Sequence, residues 1–457
     1  VTNPIGRIVQ SEDRRHLLRL GGLVALLAIF LIITGVIRPS GSVAGAPSIV
    51  ENVPGIDVNR VAAADVSSTP GQIDALISRI KANPQDGPAY RDLGHAFIQW
   101  FRETADPTLL GRAGESFEKA RGLLGDDPMI LVGEGSLLLS RHEFEKARTV
   151  GLRAVVAAPG LAPAQAVIVD ALVELGRYDD AIEAAARLEA LSRGDLPTLA
   201  RASYIRELYG DLEGALDTMR RAALYGSMSA QPENVAYVLV IVGNLQVATG
   251  NPAAALGAYD LALERFPNYA AALAAKGRLA VGRGDLDEAA QFFEQASAIL
   301  PLPEYVVALG EIQEAAGLNV KSRDSYALAR AETQLFQASG VVVDLELALF
   351  EADHGDAQKA LTFAEAAYAN RPNVKAADAL AWALFKNGRT EEAGQRSEEA
   401  LRIGTRDPLM RYHAGAIAAA SGRNDEARGF LTEALAIDAG WSATGAADAR
   451  KILSTLP

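Results

Sequence analysis

The chain has 457 residues, of which 44 are basic and 57 acidic, for a formal charge of -13, and it contains no cysteine. That charge repels a phosphate backbone at long range, so nucleic acid is not an expected partner; disulfides, thiolate nucleophiles and cysteine-held metals are excluded. Apolar residues make up 49% of the chain but aromatics only 6%, which asks for a core of Ala, Leu and Val and favours close helix packing over stacked sheets.

The first 19 residues carry Arg7, Arg14, Arg15 and Arg19, and Val1 would suit a GTG start codon read literally, as in a bacterial gene. Eighteen uncharged residues follow, LGGLVALLAIFLIITGVI from Leu20 to Ile37. As a helix they span ~27 Å, close to the hydrocarbon thickness of a bilayer. Only Arg38 follows before Arg60, so the positive-inside bias predicts a single-pass helix with the N-terminus in the cytoplasm and the rest outside. Ala44-Gly45-Ala46 has the small-x-small form of a signal cleavage site. The apolar run is longer than a signal peptide requires, however, and Pro47 stands where the new N-terminus would lie, so the expectation is a retained anchor. Residues 38–70 are rich in Pro, Gly and Ser without a helical period and read as a flexible linker. Ile73, Leu76, Ile77 and Ile80 then place one amphipathic helix over 71–83.

From there the same punctuation recurs. GNPAAALGAYDLALERFP, from Gly250 to Pro267, is answered by GDLDEAAQFFEQASAILP from Gly284 to Pro301. Turn glycines at Gly176, Gly210, Gly250, Gly284, Gly317, Gly355, Gly388 and Gly422 step by 34, 40, 34, 33, 38, 33 and 34 residues. An Ala stands five residues after most of them, and Pro267, Pro301 and Pro372 close their units. Each unit reads as two helices: the glycine takes the left-handed conformation that ends the first, small residues let the backbones approach, and the proline stops the second. One unit turns at Arg141-His142 without a glycine.

This pattern resembles the tetratricopeptide repeat family, whose signature is an early Leu-Gly, a mid-repeat glycine turn, then Ala, an aromatic, Ala and a closing Pro. The early pair stands at Leu93-Gly94 and Leu309-Gly310, with glycine alone at Gly135, Gly243, Gly277 and Gly415. The resemblance implies an all-α fold: a right-handed α-solenoid of about ten helix pairs over 84–440, closed by a capping helix over 441–457. It also implies a concave groove lined by the first helix of each pair, where a peptide or a partner's helix would lie. Carried over position by position, that face is Tyr204, Tyr237, Asn244, Arg278, Glu311, Glu314, Leu345, Leu349, Trp382, Phe385, Lys386 and Tyr412. Asn244 and Arg278 are the nearest approach to the family's carboxylate clamp, and Trp382, Phe385 and Tyr412 form an aromatic stretch suited either to partner side chains or to packing between helices.

No residue set points to catalysis, a cofactor or a metal. The five histidines, His16, His95, His142, His354 and His413, are scattered, and HEFEK at His142 has Lys146 where a zinc protease needs its second His. Phosphate-loop and nucleophile-elbow motifs are absent. Arg193-Gly194-Asp195 and Arg283-Gly284-Asp285 spell an adhesion tripeptide but suit a helix stop followed by a helix start. The expectation is therefore a non-enzymatic protein-interaction scaffold, anchored in a bacterial cytoplasmic membrane with its repeats in the periplasm, that assembles or stabilises a membrane or extracytoplasmic complex. The alternatives are an assembly factor for secreted or cytochrome-type proteins, or an accessory subunit of a membrane enzyme.

Overall fold

A computed structural model describes residues 68–226 and 231–457. The membrane helix expected over Leu20–Ile37 and nearly all of the linker lie outside them; among the described residues no helix is long and apolar enough to cross a membrane.

The described chain is all-α, with 22 helices. Helix α1 (Thr69–Ala82) precedes ten antiparallel pairs: α2 (Gly87–Thr104) with α3 (Thr108–Leu124), α4 (Pro128–Ser140) with α5 (Phe144–Ala157), α6 (Ala162–Glu174) with α7 (Tyr178–Leu191), α8 (Leu196–Leu208) with α9 (Leu212–Gly226), and α10 (Pro232–Ala248) with α11 (Pro252–Arg265). The remaining pairs are α12 (Ala270–Arg283) with α13 (Leu286–Ile299), α14 (Pro303–Ala315) with α15 (Asn319–Ala338), α16 (Asp344–His354) with α17 (Ala357–Asn370), α18 (Val374–Lys386) with α19 (Thr390–Ala400), and α20 (Pro408–Ala420) with α21 (Asn424–Ile437). Helix α22 (Ala443–Thr455) closes the array.

The turn within each pair is built by the backbone. At Gly176 the glycine N–H donates to the Val173 carbonyl and the next N–H, of Arg177, reaches back five residues to the Leu172 carbonyl. That pair of hydrogen bonds requires a left-handed residue between the helices, and Gly176 sits at φ 70°. His142 takes the same role at φ 59°, with Glu143 N–H on the Leu138 carbonyl, which explains how that unit turns without a glycine. Gly355 departs from the pattern at φ -148°. There the Glu351 carboxylate, not a backbone carbonyl, accepts from Asp356 N–H at 2.8 Å. Half of the first helices start by side-chain capping: Asp86, Asp127, Asp195, Asn373 and Asp407 each accept from an N–H of the first turn. The two adhesion-like tripeptides are capped helix starts, with Asp195 capping Thr198 of the first helix α8 at 2.9 Å and Asp285 capping Glu288 of the second helix α13 at 3.0 Å.

Inside four of the pairs the early glycine receives an aromatic ring: Gly94, Gly243, Gly277 and Gly310 face Phe117, Tyr259, Phe293 and Tyr326. A Cβ on Gly243 would lie 2.2 Å from the Tyr259 ring, and one on Gly277 2.7 Å from Phe293, so the two signature positions form one contact.

The ribbon of pairs curls until its two edges meet. The Val342 N–H donates to the Arg141 carbonyl at 3.1 Å, and His142 Nδ1 lies 2.7 Å from the Val342 carbonyl oxygen. Asn373 Nδ2 donates to the Glu174 carbonyl at 2.8 Å, Val374 N–H to the Tyr178 hydroxyl at 3.0 Å, and Thr405 Oγ1 to the Leu208 carbonyl at 2.7 Å. Thus the turns inside the second, third and fourth pairs are covered by the connections leading into the eighth, ninth and tenth, and six pairs complete one circuit. The first pair is closed off by Arg102, whose Nη2 meets the Glu233 carboxylate at 2.8 Å with both side chains 3% exposed. The core crosses the same seam: Phe101 faces Phe336 with centroids 6.5 Å apart, and Tyr178, Tyr204 and Leu208 share one apolar cluster with Val374, Ala377 and Met410.

Candidate protein-binding surface

The residues expected to line an open groove lie on first helices, but the structure places most of them in contact with neighbouring helices or with the opposite edge. Tyr204 and Tyr237 are buried, and the Tyr204 hydroxyl accepts from Lys375 Nζ across the seam at 3.0 Å. Burial holds both hydroxyls well above the usual phenol range. Beside Tyr204, burial also pushes the Glu207 carboxyl up to about 7, against the opposing pull of Lys375. Leu345 is buried between helices.

Trp382, Phe385 and Tyr412 do come together. Trp382 stacks on Phe385 at 5.3 Å and on His413 at 4.1 Å, and Tyr412 lies 5.4 Å from Trp382. Their polar ends are taken: Trp382 Nε1 donates to Asp353 at 2.8 Å and the Tyr412 hydroxyl to Asp448 at 3.0 Å. Lys386 bonds Asp353 at 3.2 Å and covers the Trp382 ring. Trp382 and Tyr412 are buried and Phe385 is half-buried, so the cluster packs helices α16, α18, α20 and α22 together.

Asn244 and Arg278 also meet, with Arg278 Nη2 3.4 Å from Asn244 Oδ1, which accepts as well from the Tyr259 hydroxyl at 2.9 Å. Arg278 borders a cavity of ≈ 70 Å³ whose wall includes Tyr305, Glu311, Gly440 and Trp441. The C-terminal turn closes over it: a Cβ on Gly440 would fall 2.0 Å from the Arg278 carbonyl oxygen, and Ser442 Oγ donates to Glu311 at 2.6 Å. The other oxygen of Glu311 meets His354 Nε2 at 3.2 Å, and Glu314 accepts from the Tyr326 hydroxyl at 2.9 Å. Among the described residues no group of three or more His, Asp or Glu is placed to hold a metal ion.

What remains open is the outer surface of the second helices and the two rims of the coil. Glycines of the free rim, such as Gly284, Gly317, Gly388 and Gly422, have nothing within 4 Å of a would-be Cβ. Large apolar side chains stand exposed along second helices, among them Val156, Leu191, Leu224 and Val320. Sequence reasoning passed these over because a single exposed Leu or Val at a helix end carries no periodic signal; only the closure of the first helices singles out the outside.

The family model for the tetratricopeptide repeat matches residues 243–301 and 379–442. The chain carries tetratricopeptide repeats. Tetratricopeptide repeats act as protein–protein interaction scaffolds. A sequence search of curated proteins gives no match. Among solved structures, the human IFIT1 dimer with m7Gppp-AAAA is 14% identical over 82% of this chain and 91% of that one, with a TM-score of 0.45. The pilus biogenesis factor PilW is 14% identical over 46% and 97%, at 0.38, and MamA 19% identical over 35% and 91%, at 0.29.

Proposed function

We propose that this tetratricopeptide repeat protein is a non-enzymatic scaffold held on the outer face of a bacterial cytoplasmic membrane by a helix over Leu20–Ile37, where it assembles or stabilises a complex of membrane or extracytoplasmic proteins. The observation that carries this reading is that every described helix, from Thr69 to Thr455, belongs to the repeat array or flanks it. Surface is what such an array offers, and the uncharged run behind four arginines supplies a way to concentrate it near membrane partners. Since the groove residues of the first helices are occupied by contacts with neighbouring helices or with the opposite edge, partners are taken on second helices and rims.

The test is extraction of native membranes in mild detergent, followed by size-exclusion chromatography and mass spectrometry of what travels with the chain. A membrane-bound species that elutes with defined partners is expected. A full-length chain that stays in the soluble fraction after cell lysis overturns the anchor, and a detergent-extracted chain that elutes alone as a monomer overturns the complex.

A further inference from the structure

Four consecutive second helices end at the same rim of the coil, and each ends on exposed apolar side chains. Leu124 closes α3, Val156 is the penultimate residue of α5, Leu191 closes α7, and Leu224 with Tyr225 lies at the end of α9. Val156 is 82% exposed and Tyr225 53%. Contacts tie these ends together: Arg153 on α5 meets Asp126, in the connection after α3, at 2.8 Å, and the Tyr225 ring lies 3.7 Å from where a Cβ on Gly194, in the connection after α7, would stand. This rim belongs to the first circuit; the opposite edges of its second to fourth pairs are sealed, so it forms one end of the coil.

The charges interleaved with those side chains are mostly basic. Arg153, Arg187, Arg193, Arg220 and Arg221 are exposed there, against exposed Glu118, Asp126 and Glu189. Arg193, Arg220 and Arg221 enter no ion pair among the described residues, and Arg187 reaches only Glu183 at 3.6 Å. This basic end sits on a chain whose total charge is -13, whereas at the other end, at the starts of α19 and α21, exposed Glu391 and Asp425 stand beside Glu392 and Glu426, which pair with Arg389 and Arg423. An anionic plane therefore attracts the basic end in preference to the other.

We infer that this rim rests on the anionic lipid surface of the bilayer, its arginines at the headgroups and Val156, Leu191, Leu224 and Tyr225 dipping into the interface. Aliphatic and Tyr side chains flanked by Arg suit that boundary, where apolar burial and attraction to lipid phosphate act together. The inference rests on the membrane tether proposed above. Thirty residues separate Ile37 from Ser68, a length that spans up to roughly 100 Å when extended, so the tether leaves the coil free to set this end down.

Because the chain has no cysteine, a single introduced one carries a probe cleanly. Full-length Val156→Cys and, as the distant control, Val320→Cys at the start of α15 are labelled with an environment-sensitive fluorophore and reconstituted into vesicles of phosphatidylcholine with or without phosphatidylglycerol, containing a lipid-borne quencher. Quenching at residue 156 at least about threefold above that at 320, present only with phosphatidylglycerol and lost in high salt or in an Arg193→Glu/Arg220→Glu/Arg221→Glu variant of unchanged helical circular dichroism, is expected. Equal quenching at the two positions overturns the docking while leaving the tether standing. Failure of the chain to float with any vesicle overturns the tether instead, and a probe at 156 shielded only when membrane proteins are added shows that the rim takes a protein.

Discussion

Glu332, on the long helix α15, shows what burial does to a single group in this fold. It is almost fully buried, its Oε2 has no partner among the described residues, and burial raises its pKa from 4.5 to about 8. Between those values the folded chain holds a proton that the unfolded chain has released, so the stability this group contributes is complete below about pH 4.5 and is lost as the pH rises through 8. Glu207, pushed up to about 7 chiefly by burial, acts in the same direction. Glu332→Gln is expected to raise thermal stability at pH 8 by roughly 1 kcal/mol or more and to change it little at pH 5; equal effects at both pH values in calorimetry would contradict this account. A lone Glu on a helix whose neighbours are Ala, Arg and Thr reads in the sequence as a solvated residue. Nothing local announces that it will be buried, because the burial comes from packing in three dimensions.

At the scale of helices and turns, the sequence was informative wherever the structure repeats. Turn glycines, the Ala rows and the two flanking helices follow from spacing, because each is fixed by contacts within about one repeat. The seam was not legible: Asn373 and Glu174, or Thr405 and Leu208, meet across nearly 200 residues with no period to betray them. The groove residues suffer from the same blindness, since position within a repeat says that Tyr204 faces inward but not that Lys375 will be there. Glycine substitution separates the two kinds of constraint. Gly176, Gly210 and Gly250 all have positive φ, so alanine at each costs about 1 to 2 kcal/mol of backbone strain. Only at the first two does the new Cβ strike the other edge, 2.6 Å from the Pro372 carbonyl oxygen and 2.5 Å from that of Gly404; Gly250 faces open space. Gly176→Ala and Gly210→Ala are therefore expected to part the seam and enlarge the radius of gyration in small-angle scattering, while Gly250→Ala loses stability without a change of shape.

For the molecule as a whole, closing the coil alters the rule by which stability is distributed. A solenoid whose units touch only their neighbours is a one-dimensional chain, and a perturbation in one unit fades within a unit or two. Here the second pair touches the eighth, the third the ninth and the fourth the tenth, so local openings on one circuit expose surface on the other. Asn373→Asp tests this cleanly. It keeps the side-chain oxygen that caps α18 through Ala376 N–H, but removes the Nδ2 donor to the Glu174 carbonyl and sets a carboxylate beside Glu174, whose own pKa is already raised by burial. Asn387→Asp, on the free rim of the same pair, removes bonds only to the nearby Ala357 and Ala383 carbonyls. In native-state hydrogen exchange Asn373→Asp should speed amide exchange about tenfold or more at the end of α6 and the start of α7, which corresponds to a loss of roughly 1.4 kcal/mol in local opening. Asn387→Asp should leave those amides unchanged, and if the two variants act alike, with effects confined to α17 through α20, the circuits are independent and the chain behaves as an open array.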